Sequence, residues 1–118
     1  LVVQPLGVHH VAIKVDDLDE ALAFYTDILG FTVRTDRPDF GVQGAWLDVG
    51  SQQVHLVVGE VPPAVGQHVA FLVEDLDTAV AELRDRGVEV SDPFELPMNR
   101  QSVVTDPFGN GIELHQRR

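Results

Sequence analysis

The sequence predicts an α+β fold: two tandem βαβββ modules that together form a curved mixed sheet around a cavity. The first observation behind this is a duplication. Residues 10–21, HVAIKVDDLDEA, return 58 positions later as residues 68–79, HVAFLVEDLDTA, with eight of twelve positions identical. Two unrelated stretches of ordinary composition match at about one position or fewer, so the repeat sets the architecture. The second observation is that each copy runs from a strand-periodic stretch into a helix-periodic one and then into three short strand-like runs. The third is size. A copy of 58 residues with a single helix on one sheet face buries little alone, so two copies are expected to combine their sheets.

Along the chain, residues 7–15 alternate as a strand, with Val11, Ile13 and Val15 on one face and His10, Ala12 and Lys14 on the other. Asp17 is placed to cap a helix, with Glu20 as its capping-box partner. Leu18, Ala21, Leu22, Tyr25, Ile28 and Leu29 form its apolar stripe, and Gly30 ends it. Strands follow near 31–36, 43–49 and 52–59, separated by Pro38, Gly41 and the Gly50-Ser51 turn. Residues 61–65 open with Val61-Pro62-Pro63-Ala64 and link module 1 (about 7–60) to module 2 (about 66–117) within a single 1–118 domain. Module 2 repeats the order. A strand spans 67–73, and a helix at about 76–86 points Leu76, Ala79, Val80 and Leu83 inward before Gly87. Strands near 88–91, 101–105 and 111–116 complete it, with Asp106-Pro107-Phe108-Gly109 as the last turn.

Composition narrows the function. Nineteen acidic against eight basic side chains give a net charge of −11, the wrong field for nucleic acid or an anionic membrane. The absence of cysteine removes disulfides and thiolate metal sites. The apolar runs are too short for a membrane span, and residues 1–10 lack a signal-peptide pattern. A cytoplasmic protein acting on a small molecule is therefore expected.

Strand parity locates candidate chemistry. Val54, Leu56 and Val58, like Ile112 and Leu114, belong to the faces that helices cover. His10, His68, His55 and Glu113 have the opposite parity, and the 58-residue shift relates His10 to His68 and His55 to Glu113. If the uncovered side curves into a cavity, three imidazoles and one carboxylate converge there. That donor set suits a borderline divalent ion such as iron, cobalt, nickel, zinc or manganese. A single strand His is more often a satisfied polar residue, but two symmetric pairs argue for a site. His9 has the wrong parity and belongs near the strand's exposed start. His115 shares Glu113's parity and reads as a rim residue, with support of a ligand as the alternative.

The order of elements, His9-His10-Val11-Ala12-Ile13-Lys14-Val15-Asp16-Asp17-Leu18, Phe24-Tyr25 before Leu29-Gly30-Phe31, and Asp106-Pro107-Phe108-Gly109-Asn110-Gly111-Ile112-Glu113-Leu114 resemble the vicinal oxygen chelate superfamily. That superfamily includes lactoylglutathione lyases (glyoxalases), methylmalonyl-CoA epimerases, extradiol dioxygenases, fosfomycin-resistance transferases and bleomycin-binding proteins. The likeness covers nearly the whole chain and implies a glyoxalase-like fold, while the same scaffold hosts several reactions. It implies that His10 and His68 are first-strand metal ligands and that Glu113 is the closing carboxylate. His55 stands where bacterial lactoylglutathione lyases usually carry Glu. Lys14 falls where lyases carry an Arg for a glutathione carboxylate, and Arg100 matches a frequent Arg before the final Asp-Pro. Each has a surface-charge alternative. Trp46 is a cavity wall or a core residue, depending on strand register. The resemblance also favours a homodimer.

The leading expectation is a lyase or isomerase moving a proton beside a metal-bound carbonyl, with Glu113 or His55 as the base. A ferrous, oxygen-dependent ring-cleaving enzyme is the alternative, with His10, His68 and Glu113 as a two-His-one-carboxylate triad and His55 free as acid or base. Thiol or water addition to an epoxide needs a basic anion-binding loop for which residues 92–102 offer no evident candidate. A binding module with a vestigial site is the reading from another class.

Overall fold

The computed structural model describes residues 3–118, so the first two residues of the expected 1–118 domain lie outside the described residues. The chain divides into two compact units, one ending at Glu60 and the other Val61–Arg118. The first carries β1 (His10–Val15), α1 (Leu18–Leu22), β2 (Thr32–Val33), β3 (Gly44–Val49) and β4 (Gln52–Val58). The second carries β5 (Val69–Leu72), α2 (Leu76–Asp85), β6 (Phe94–Glu95), β7 (Asn99–Thr105) and β8 (Gly111–Arg117).

Each unit forms its own four-stranded mixed sheet, ordered β1-β4-β3-β2 and β5-β8-β7-β6. The outer strand, β1 or β5, is parallel to the last strand of its unit, and the remaining pairs are antiparallel. A parallel pair needs a crossover rather than a hairpin, and the helix after β1 or β5 provides it. Among the described residues every strand pairing falls within a unit, so the mixed sheet expected of the duplicated modules consists of two four-stranded sheets in an α+β fold.

The predicted N-cap of the first helix is present, and the second helix has a counterpart. Asp17 accepts the Glu20 N–H at 2.8 Å, and Asp75 accepts the Thr78 N–H at 3.1 Å. Gly30 and Gly87, at φ +81° and +75°, close the two helices in the left-handed conformation that glycine adopts without strain. The first helix departs from a plain 3.6-residue stripe. After Leu22 it widens into a π-helical stretch, Ala23–Ile28, in which Phe24 C=O accepts the Leu29 N–H. The wider turn lets the consecutive Phe24 and Tyr25 both be buried, whereas Leu18, Ile28 and Leu29 are half-buried. The strand expected at 88–91 shrinks to one bridge between Val90 and Val104, and the edge strand is Phe94–Glu95.

Val15, Leu47, Val54 and Leu56 form the first unit's core, and Leu76, Val80, Leu83, Val104, Ile112 and Leu114 the second's. Gly44 has a specific steric role. A Cβ there would collide with the backbone oxygen of Leu56 and lie 2.9 Å from Arg37 Nη2. Gly44→Ala is expected to cost about 1–3 kcal/mol in chemical denaturation, because a backbone atom cannot swing aside as a side chain can. An unchanged unfolding midpoint would refute that assignment. No helix among the described residues is long and apolar enough to cross a membrane.

Candidate metal centre

Register places the candidate ligands alike in the two units. Ala12 lies opposite His55 and Ala70 opposite Glu113, with His10 and His68 each two residues earlier on the neighbouring strand or its approach. In the first unit the His10 and His55 rings stack, with centroids 3.8 Å apart and planes 12° apart. In the second, His68 Nε2 stands 3.2 Å from Glu113 Oε2. Both pairs lie on the sheet face turned away from their unit's helix, as alternation requires.

His68 is oriented by the backbone: its Nδ1 lies 2.9 Å from the Gly66 carbonyl oxygen, which can only accept. A neutral His68 therefore carries its proton on Nδ1 and turns the Nε2 lone pair toward Glu113. Two acceptors facing at that distance call for a proton or a cation between them. His115 Nδ1, 3.7 Å from Glu113 Oε1, flanks the pair on the same face. A cavity of about 240 Å³ opens beside it, lined by Ala64, Gln101, Val103 and Ile112 as well as the pair itself.

His55 is held differently. It is sandwiched between His10 and Trp46, whose ring is 4.6 Å away at 12°, and its Nε2 lies 2.8 Å from Gln53 Oε1. That leaves Nδ1 as its uncommitted nitrogen. Trp46 lies directly opposite His55 in register, which puts it on this face rather than in the core beneath the helix. His9 Nδ1 is 2.9 Å from His10 Nδ1, so it sits against the site despite its position at the strand's exposed start.

Burial, reinforced by the positive charges of His10, His9, Arg37 and Arg34, pushes the His55 imidazole below the ordinary histidine range. The folded protein then holds His55 neutral where the unfolded chain would take up a proton. The resulting stability is present above about pH 6.5 and is lost as pH falls from there through the depressed folded value. In metal-free protein, His55→Gln is expected to flatten the stability curve below about pH 6.5. Urea unfolding across pH checks this, and parallel curves for the two proteins would contradict it.

Arg100 is the correction among the expected site residues. On β7 it alternates with Ser102 and Val104, and it pairs across with Gln116 while Ser102 pairs with Leu114. It therefore lies on the helix-covered face, away from Glu113. Its Nε donates to both Glu95 oxygens at 2.7 and 2.9 Å, and its two terminal nitrogens donate to Asp77 at 3.0 and 2.9 Å. That clamp ties β6 and β7 to the start of α2 and leaves little guanidinium for a ligand. Lys14 shares the face of His10, near Gly59 at the far end of β1. Among the described residues, no group of three or more His, Asp or Glu is arranged to hold a metal ion; the candidate ligands occur as a pair in each unit. Gln53 and Gln101, which touch or line these pairs, were not expected. For Gln53 the spacing of two residues from His55 was the available signal, whereas Gln101 is placed only by the register that pairs it with His115.

The model of the Glyoxalase/Bleomycin resistance protein/Dioxygenase superfamily matches residues 7–114. The chain belongs to this superfamily. It is 32% identical to the uncharacterized Escherichia coli protein YaeR, covering 93% of this chain and 95% of that one. It is 31% identical to a probable lactoylglutathione lyase of Synechocystis, covering 91% and 92%. A glyoxalase-family structure from Bacillus anthracis superposes with TM-score 0.90 at 31% identity over all of both chains. Methylmalonyl-CoA epimerases, a Bacillus subtilis catechol-2,3-dioxygenase and a Streptomyces antibiotic binding protein also match. Superfamily membership thus fixes the fold and spans several chemistries.

Proposed function

We propose that the protein is a divalent-metal-dependent enzyme of glyoxalase-like lyase or isomerase type, acting on a small carbonyl compound. His10, His55, His68 and Glu113 are its ligand set, and the ion is nickel, cobalt, zinc, iron or manganese. The observation that carries this is the His68–Glu113 pair. Its donor atoms are 3.2 Å apart, close to the roughly 3 Å that separates two adjacent ligands at right angles with bonds of about 2.1 Å. The Gly66 carbonyl fixes the tautomer that leaves Nε2 to donate to a cation. The donor chemistry fits the ion: a dication with neutral imidazoles and one carboxylate keeps a net formal charge of about +1.

When bound, the ion supplies charge stabilisation for an enediolate. The chain's own groups do the rest. Glu113 or His55 takes and returns the proton beside the carbonyl. Trp46 walls the His55 side, and Lys14 provides a local positive charge in a chain that otherwise repels anions. This reading also carries a cytoplasmic homodimer as the working form.

A second reading has one observation in its favour. Because Gln53 already occupies His55 Nε2, His10, His68 and Glu113 could serve alone as a ferrous triad, with His55 as acid or base in a dioxygenase. The test is metal content after reconstitution with each ion, followed by two assays. Turnover of methylglyoxal with glutathione supports the lyase, and oxygen uptake with a catechol and ferrous ion supports the dioxygenase. Absence of stoichiometric metal under every condition would overturn both and leave a small-molecule binding module.

A further inference from the structure

We propose that the helix-free face of the first unit binds a planar aromatic acid, held between Trp46 and Phe40 with its carboxylate on Arg37. This deepens the reading above by naming a substrate class, aromatic acids that also carry the reacting carbonyl group, and it rests on that reading only in taking the bound acid to be the substrate.

The aromatic rings on this face form a row. His10, His55 and Trp46 stack across three neighbouring strands, and Phe40 continues the row 6.1 Å from Trp46 at 44°. The first contacts are closed. The last is splayed, and Phe40 is 60% exposed on the loop before β3. A flat ring in van der Waals contact with both faces needs them about 7 Å apart, twice the usual carbon–carbon contact distance. Phe40 reaches that arrangement by moving about 1 Å and turning its ring through the 44° that now separates the two planes. An aliphatic ring is thicker and has no π-face to match.

Arg37 supplies the charge. Its guanidinium lies over the Phe40 ring, 5.2 Å from the centroid, and one nitrogen donates to the Val42 carbonyl at 2.9 Å. No ion pair to Arg37 is formed among the described residues, whereas Arg34, Arg84, Arg100 and Arg118 each have a carboxylate partner. Gly44 makes the seat, because a Cβ at that position would meet Arg37 Nη2. Beside the loop, next to the start of α1, is a cavity of about 570 Å³ lined by Leu18, Arg37, Asp39, Val42, Gln43 and Gly44, but by neither Phe40 nor Trp46. Asp39, the acid on its wall, accepts the Gly41 N–H at 2.8 Å through one oxygen and keeps its negative charge, which the attraction of Arg37 has to outweigh. A guanidinium held in place without a carboxylate, next to an open aromatic pair, fits a ligand with one flat ring and one anionic group.

Trp46 is the chain's only tryptophan, so its emission reports this site alone. The experiment is calorimetric titration of the full chain with benzoate, benzamide and cyclohexanecarboxylate, with Trp46 emission followed in parallel. Benzoate is expected to bind on the order of tenfold more tightly than either comparator and to shift Trp46 emission. Arg37→Gln should bring benzoate down to the level of benzamide. Phe40→Ala should weaken both aromatic probes by several-fold, and neither substitution should change metal content. Equal binding of the three probes, no measurable binding, or binding that leaves Trp46 emission unmoved would overturn the proposal. Repeating the titration in EDTA separates it from the metal reading. Benzoate binding that vanishes with the metal refutes the clamp, while binding by protein that never takes up metal keeps the clamp and removes the metal centre.

Discussion

Glu113→Gln is expected to lower divalent-metal affinity by on the order of 100-fold or more, since even partners that only support ligands are worth 10–100-fold. The amide keeps the size and one oxygen of the carboxylate but removes the negative charge that faces His68 Nε2 at 3.2 Å. Two measurements check this. Calorimetry gives the affinity directly. Thermal or chemical unfolding gives it through linkage: at a metal concentration 100 times the wild-type dissociation constant, the wild type gains about 2.7 kcal/mol, while a variant weakened 100-fold gains about 0.4 kcal/mol. Arg100→Gln is the informative contrast. Its guanidinium lies on the other sheet face and clamps Glu95 to Asp77, so it should lose stability and keep its metal. If the two variants bind metal equally well, the assignment of Glu113 as a ligand fails.

That contrast also shows what could be read from the residues alone. Alternation along β1, β4 and β8 was enough to put His10, His55 and Glu113 on the faces away from the helices, because a period of two admits no intermediate answer. The same rule could not place Arg100, because adjacent Val103 and Val104 leave the faces of β7 undecided until its register with β8 is known. Its place was instead inferred from likeness to an Arg before Asp106-Pro107, which says nothing of parity. Trp46 could not be settled without the β3–β4 register, which pairs it with His55. The π-helical stretch was hidden because its cause is tertiary: the sheet asks for both Phe24 and Tyr25, and no single-turn periodicity delivers adjacent residues. The strand at 88–91 failed for a related reason. Val88 and Val90 look like a strand by propensity, but only Val90 finds a ladder partner. The Arg37–Phe40 contact lies in a loop, where neither period applies and only coordinates reveal which side chains meet.

Leu56→Ala is expected to destabilise the protein by about 2–5 kcal/mol. That is a large part of the roughly 5–15 kcal/mol that holds a domain of this kind together. Leu56 is 1% exposed and lies between Ile13 on β1 and Ala45 on β3, at the centre of the first unit's helix-covered face. Those neighbours belong to hydrogen-bonded strands and cannot close in on the space that three lost carbons leave, so the cavity cost adds to the transfer cost. Met98→Ala, at an 81% exposed position, should stay within about 0.5 kcal/mol and serves as the control. The deeper question is whether the two faces of β4 act separately. Leu56 is adjacent in sequence to His55 but points the opposite way, so the folded fraction of Leu56→Ala should retain metal affinity within about threefold, less than 1 kcal/mol. Urea unfolding and calorimetry at a temperature where the variant remains folded measure the two quantities independently. A fall in affinity as steep as that of Glu113→Gln would mean that packing under the helix sets the position of the His10–His55 stack, and that the sheet does not insulate its two faces.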